Sequence, residues 1–294
     1  MAQDRLRRAG RALLLCVACT GTATPAWSAE QTWSDHGMTA SDVTLPRYWA
    51  RGRPGGFAAA VLELGFPYAR PRLSIGYGRP FYSHVSAEVE PLVSAKGVGG
   101  YFGAKGAIPF LELRSGVRYF APFGRSLLTP RTSYSRLDVE QNDGPTASHV
   151  ALESELAGGV PVAAGGPFWL VTVNYHPNVD DGYYVFEESL GMVIEPPWIW
   201  RARVGYALRF GRDDAISVGV AEEVLVNPGR REHVLRAGVI AGVQINDNLD
   251  AQITLLPAIS SPDAIGIEGA DFSHFGLRWR FATANGERTK RRRR

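Results

Sequence analysis

The chain has 294 residues, of which 45% are hydrophobic, 11% aromatic and 21% charged, enough for one large β domain or two ordinary ones. Its formal charge of +3 sits at the ends: residues 1–28 hold four Arg and one Asp, residues 282–294 hold six Lys or Arg and one Glu, and removing that +3 and +5 leaves −5 between them. That balance excludes a basic nucleic-acid-binding body, and the placement of both cysteines at Cys16 and Cys19 excludes thiolate or disulfide chemistry downstream of them.

Chain order begins with a targeting pattern. Arg5, Arg7, Arg8 and Arg11 precede the apolar run 12–19, and small residues up to Ser28 follow. This order predicts a signal peptide over 1–28, removed on export. The expected organisation continues with an N-terminal periplasmic segment at 29–55, a transmembrane β-barrel at 56–283 and a basic disordered tail at 284–294.

From residue 56 onward the dominant signal is period two. Leu111, Leu113, Val117 and Tyr119 oppose Glu112, Arg114, Gly116 and Arg118, and Val150, Leu152 and Leu156 oppose Ala151, Glu153 and Glu155. The uncharged stretch 156–175 is long enough for a membrane helix, but Gly158, Gly159, Gly165, Gly166, Pro161 and Pro167 make it a hairpin. Trp200, Ala202, Val204, Tyr206, Leu208 and Phe210 oppose Arg201, Arg203, Gly205, Ala207 and Arg209; a helix would scatter those arginines, whereas a strand gathers them on one side. Further along, Leu235, Ala237, Val239, Ala241 and Val243 oppose Arg236, Gly238, Gly242 and Gln244. Turn chemistry at 178–182, 211–214, 227–229 and 246–248 divides the runs.

These features predict an all-β fold, an antiparallel up-and-down barrel of roughly 12 to 14 strands of about ten residues, the length that crosses a bilayer at a tilt. A soluble periplasmic β-sandwich is the alternative, because alternation alone serves both. Aromatics at strand ends favour the membrane: Trp198, Trp200, Tyr206, Phe210, Tyr119, Phe120, Trp279 and Phe281 suit interfacial girdles. Counting back from the last strand puts 259–271 at one end, and the turns 211–214 and 246–248 at the other, periplasmic, end.

The segment 274–281 resembles the C-terminal assembly signal of bacterial outer-membrane proteins, with His274, Gly276, Trp279 and Phe281 in its marked positions. The resemblance implies an outer-membrane location, with outer-membrane lipid and the barrel assembly machinery as partners. The tail 282–294 departs from it, since such signals usually end the chain.

Candidate chemistry is sparse. Arg114, Arg118, Arg201, Arg203, Arg209, Arg236, Arg278 and Arg280 should face inward with Glu63, Glu112, Glu153, Glu155 and Glu223. They line either a narrow channel for small solutes or a filled, structural lumen in which they pair. His84 and Ser86 are similar to the His-x-Ser pair of outer-membrane lipid hydrolases, which implies a histidine base and a serine nucleophile. Ala87 departs from the Asn or Gly usual there, and the pair appears on the inward face, so no catalytic residues and no enzyme are expected, with an outer-membrane lipid hydrolase using His84 and Ser86 as the alternative. His176, Asp180 and Asp181 share a turn without metal-site spacing, so neither metal nor cofactor is expected. The basic tail predicts no nucleic-acid partner in an exported chain, and oligomeric state is not encoded legibly.

Overall fold

The computed structural model describes residues 49, 53–65, 68–93, 97–124, 126–141, 144–160, 162, 164–180, 182–187, 190–211, 214–265 and 274–283. The segments expected as signal peptide and basic tail lie outside these. The elements are β1 (Gly55–Gly65), β2 (Tyr68–Arg79), β3 (Ser83–Val93), β4 (Gly97–Ile108), β5 (Leu111–Pro122), β6 (Leu127–Leu128), α1 (Arg136–Glu140), β7 (His149–Gly159), β8 (Gly165–Tyr175), β9 (Tyr184–Glu187), β10 (Met192–Ile194), β11 (Trp198–Phe210), β12 (Ile216–Asn227), β13 (Glu232–Gln244), β14 (Leu249–Leu255), β15 (Ala258–Ser260) and β16 (His274–Ala282).

All strands but β6, β9 and β10 belong to one antiparallel sheet, in the order β12-β11-β8-β7-β5-β4-β3-β2-β1-β16-β14-β13-β15, which closes through pairing of β12 with β13. β14 and β15 share one position beside β13, separated by Leu256 and Pro257, so the barrel has twelve strand positions. Pro257 has no N–H to give the ladder, yet its carbonyl still accepts from Ala237 N at 3.3 Å. The seam joins the first and last strands from Ala59↔Ala282 to Gly65↔Gly276. Three short strands, β6, β9 and β10, form a second sheet.

Alternation fixes which face points where, and the sign is opposite to that of a water-soluble protein. In β3, His84, Ser86, Glu88 and Glu90 are buried, while Val85, Ala87 and Val89 are exposed. Around the barrel Ile75 is 73%, Val85 69% and Phe102 66% exposed, against 1% for Glu90 and 0% for Glu223. A soluble sandwich buries its apolar face; this protein buries the charged one, as a transmembrane barrel does. Among the expected girdle aromatics, Trp198, Trp200, Tyr119, Trp279 and Phe281 are exposed, with Trp279 and Phe281 stacked at 6.2 Å. Phe120 is a correction: its position on β5 has the parity of Arg114 and Arg118, so its ring points inward, 5.7 Å from His149.

Topology separates the two rims. Short turns at 80–82, 109–110, 160–164, 211–215 and 245–248 lie at the end where β1 starts and β16 finishes. Asn246 Oδ1 shapes the last of them by accepting from the backbone of Asn248 and Leu249. The longer connections 123–148, 176–197 and 261–273 emerge at the opposite rim. The stretch 178–182, expected as a plain turn between strands, instead opens the long connection that carries β9 and β10.

Glycines let one interior ring lie flat on the wall. Gly103 faces Gly116 across β4 and β5, and the Tyr101 ring covers both. A Cβ on Gly103 would sit 2.2 Å from Tyr101 Oη and 2.4 Å from the Ser115 carbonyl. We therefore expect Gly103→Val to destabilise the barrel by about 1–3 kcal/mol through forced displacement of Tyr101. The control Gly106→Ala, where a new Cβ meets nothing within 4 Å, should be neutral. The temperature at which the folded form stops migrating anomalously on a denaturing gel measures both.

Candidate functional site in the barrel interior

The interior is layered along the barrel axis. Near the short-turn rim the filling is apolar: Ala157, Phe168, Leu170, Ala207, Ala221, Ile240 and Leu256 pack together. Phe57, Phe81 and Tyr82 pack with Trp49, whose ring meets Phe81 edge-on at 4.9 Å. At the long-loop rim the second sheet enters the bore. Leu127, Val185, Leu190, Met192 and Ile194 of this insert contact Ile199, Leu225 and Val234 of the wall. Val193 and Ile194 are adjacent in sequence and both fully buried, so β10 is covered on both faces.

Charged side chains fill the belt between. Glu90 receives Arg70 at 2.9 Å, Arg72 at 3.0 Å and Arg114 at 2.8 Å. Arg114 also meets Glu88 at 3.1 Å, approaches Glu153 at 3.7 Å, and lies over the Tyr101 ring at 3.7 Å. Arg118 pairs with Glu153 at 2.7 Å, Lys105 with Glu112 at 2.8 Å, and Arg201 with Glu155 at 3.3 Å. Glu223 holds Arg203 and, at 2.9 Å, Arg236, whose other amine donates to the Leu190 carbonyl of the insert at 2.6 Å. On the seam, Gln252 donates to Glu63 at 3.0 Å and accepts from Arg278 at 2.7 Å, while Arg280 pairs with Asp250. Arg209 stands on the inward-facing side of β11 near the short-turn rim and is half-buried.

The thirteen inward Arg and Glu positions read from the sequence therefore share one interior, with eleven of them buried and Arg201 and Arg209 half-buried. Sequence reasoning did not assign Arg70, Arg72, Lys105 or Asp250 to the interior network, although each has the right parity in its strand. Individually such pairs offset their own desolvation only when every donor has an acceptor. Here Arg114 of β5 serves carboxylates on β3 and β7, and Glu90 of β3 also holds Arg70 and Arg72 of β2, so the belt ties neighbouring strands together.

His84 and Ser86 both point inward, and Ser86 Oγ is buried without a hydrogen-bond partner. His84 instead meets the Phe57 ring edge-on at 5.5 Å. The nucleophile–base hydrogen bond of a serine hydrolase is not formed, and the pair faces the interior and not lipid.

A second group of polar residues stands where insert meets wall. His149 begins β7, His176 follows β8, and Glu187 ends β9; all three are buried. His149 Nε2 lies 3.3 Å and His176 Nε2 3.9 Å from Glu187 Oε2. Burial opposes ionisation of Glu187, but the hydrogen bond from His149 and the positive charge of Arg118 outweigh it, holding the carboxyl well below its ordinary range. Burial lowers the His176 imidazole, keeping it neutral. His176 is thus not grouped with its sequence neighbour Asp180, which is exposed.

Above the insert, Arg230 of the β12–β13 turn forks onto Asp263 at 2.7 and 2.9 Å, beside the rings of Tyr134 and Tyr184. Burial raises the Tyr134 phenol to about 12, so it stays protonated and donates to the Thr129 carbonyl at 2.7 Å. This knot joins the loop before β7, the insert and the loop after β15.

Replacing Glu223 with Gln should cost about 3–5 kcal/mol, because the buried Arg236 would lose the carboxylate that balances its charge. Loss of heat-modifiability at a markedly lower temperature is the expected readout, with exposed Glu222→Gln as the unaffected control.

No protein-family model and no curated protein matches the sequence. Solved structures similar to the chain include the outer membrane protein OmpT of Vibrio cholerae as a loop L8 deletion mutant, and the same protein folded in vitro in its trimer form. Each is 8% identical, covers 77% of this chain and 97% of its own, with TM-scores of 0.33 and 0.29. At these values no residue role passes from them to this chain, whose fold rests on its own closed, inward-charged sheet.

Proposed function

We propose that the protein is an outer-membrane barrel with a filled interior, acting as a membrane-held scaffold for the loop assembly at one rim and not as an open pore. The observation that carries this reading is the sealed belt. Buried Arg–Glu pairs lie between an apolar layer at the short-turn rim and the apolar insert at the other. A continuous water path would leave those guanidiniums and carboxylates exposed; instead they are buried and paired with one another.

The location follows from the outward face. Exposed Leu, Ile, Val and aromatic side chains encircle the sheet on almost every strand, far beyond the few hundred Å² of apolar patch that a soluble monomer carries. Outer-membrane lipid is the partner of that surface, and the β16 residues His274, Gly276, Trp279 and Phe281 are what the barrel assembly machinery would read. In β16, Gly276 sits opposite Gly65 on one side and Gln252 on the other.

One observation favours a second reading, a gated channel. The insert is joined to the wall by polar contacts as well as packing, through Arg236 to the Leu190 and Gly191 carbonyls. Conductance distinguishes the two. The purified full chain in a planar bilayer should give no steady current above leak, and deletion of 184–194 should leave the belt closed. Steady current from the intact chain would overturn the filled-lumen reading, and current only after the deletion would establish the gated channel.

A further inference from the structure

Three ligand-type side chains far apart in sequence converge where the insert meets the wall. His149, His176 and Glu187 each offer one ligand atom, and these atoms lie within 4.8 Å of one another. Two come from adjacent barrel strands and the third from the insert, so their meeting is made by tertiary structure and not by local spacing.

The bland interpretation is a buried carboxylate steadied by histidine, and His149 alone satisfies it with its 3.3 Å contact. It leaves His176 unexplained. That ring is 1% exposed, and neither Nδ1 nor Nε2 has a hydrogen-bond partner. A buried imidazole without partners has given up its water hydrogen bonds with nothing in exchange. Its Nε2 points toward the same carboxylate oxygen, at 3.9 Å.

We propose that His149, His176 and Glu187 form a binding site for a divalent transition-metal cation of the zinc class, which clamps the insert to the barrel wall. The donor set is two imidazoles and one carboxylate, the mixture that suits zinc and leaves a fourth position open. Tetrahedral bonds of about 2.0–2.1 Å place ligand atoms roughly 3.4 Å apart. The His149–Glu187 separation of 3.3 Å already has that value and the His176–Glu187 separation is 3.9 Å, while the widest spacing in the trio, up to 4.8 Å, closes through rotation of the imidazoles as the cation binds. A cation here would complete the coordination of His176 and balance the Glu187 charge. It would also link β7, β8 and β9 at one point. Mg²⁺ and Ca²⁺, which take oxygen ligands, fit this nitrogen-rich set poorly.

The test uses the full chain in detergent, its fold checked by heat-modifiability. After equilibration with Zn²⁺ and removal of free metal, elemental analysis should find one zinc per chain. Cobalt(II) in its place should give the visible absorption of a tetrahedral nitrogen–oxygen site. His176→Gln and Glu187→Gln should each weaken zinc binding by more than about ten-fold, while His233→Gln, altering an exposed histidine, should not. Absence of zinc from the well-folded wild type, or equal retention in both ligand variants, would overturn the proposal. If the variants fail to fold, the cobalt spectrum of the wild type decides alone: octahedral or absent absorption would sink the site.

Discussion

Every backbone amide in a bilayer's hydrocarbon must find its partner within the protein, and closure of the sheet at the β1–β16 seam is the constraint on which the rest depends. Closing twelve strand positions makes a cylinder with an inside. Because each strand alternates, whatever faces inward is a second surface that lipid cannot cover. The outward side is covered mostly by apolar groups, with few polar ones such as Glu222, Ser115 and Ser154 among them. The inward side must be wet, or filled, or both. This protein fills it, and the layering of the interior follows from that demand.

The filling uses two kinds of chemistry in separate zones. Near the short-turn rim, small and large apolar side chains interdigitate, as Ala207 and Ala221 do with Phe168 and Leu170. In the middle, long Arg and Glu side chains reach inward and pair with those of neighbouring strands, Glu90 and Arg114 with several partners each. Tyr101 lies flat on Gly103 and Gly116 and supports Arg114 at the centre of that network. The glycines on β4 and β5 are thus part of the electrostatics, since without them the ring and the guanidinium above it could not sit where they do. The far rim is filled by the β6–β9–β10 sheet, which packs its apolar side chains against Ile199, Leu225 and Val234 of the wall.

Much of this was legible. Period-two alternation set the strands and their facing, so all thirteen Arg and Glu positions expected inside are on the inward face, and 156–175 is the hairpin its Gly and Pro content implied. The insert was harder to see. The run Met192-Val193-Ile194 is apolar at consecutive positions, the mark of a strand buried on both faces, but three residues are too few to announce a separate sheet. Phe120 went wrong for a related reason: an aromatic at a strand end suggests an interfacial girdle, whereas its parity puts it inside with Arg118.

The sequence by itself therefore determined the class of fold and the sign of each face, because a strand's side-chain direction is a local property repeating every two residues. Only the tertiary structure decided whether the inward charges line a channel or pair with one another, because pairing depends on the register and spacing of side chains on different strands. The same holds for His149, His176 and Glu187. Separated by 27 and 11 positions, they share no local period, and only barrel closure with the folding-in of the 176–197 segment brings their side chains within reach of one another.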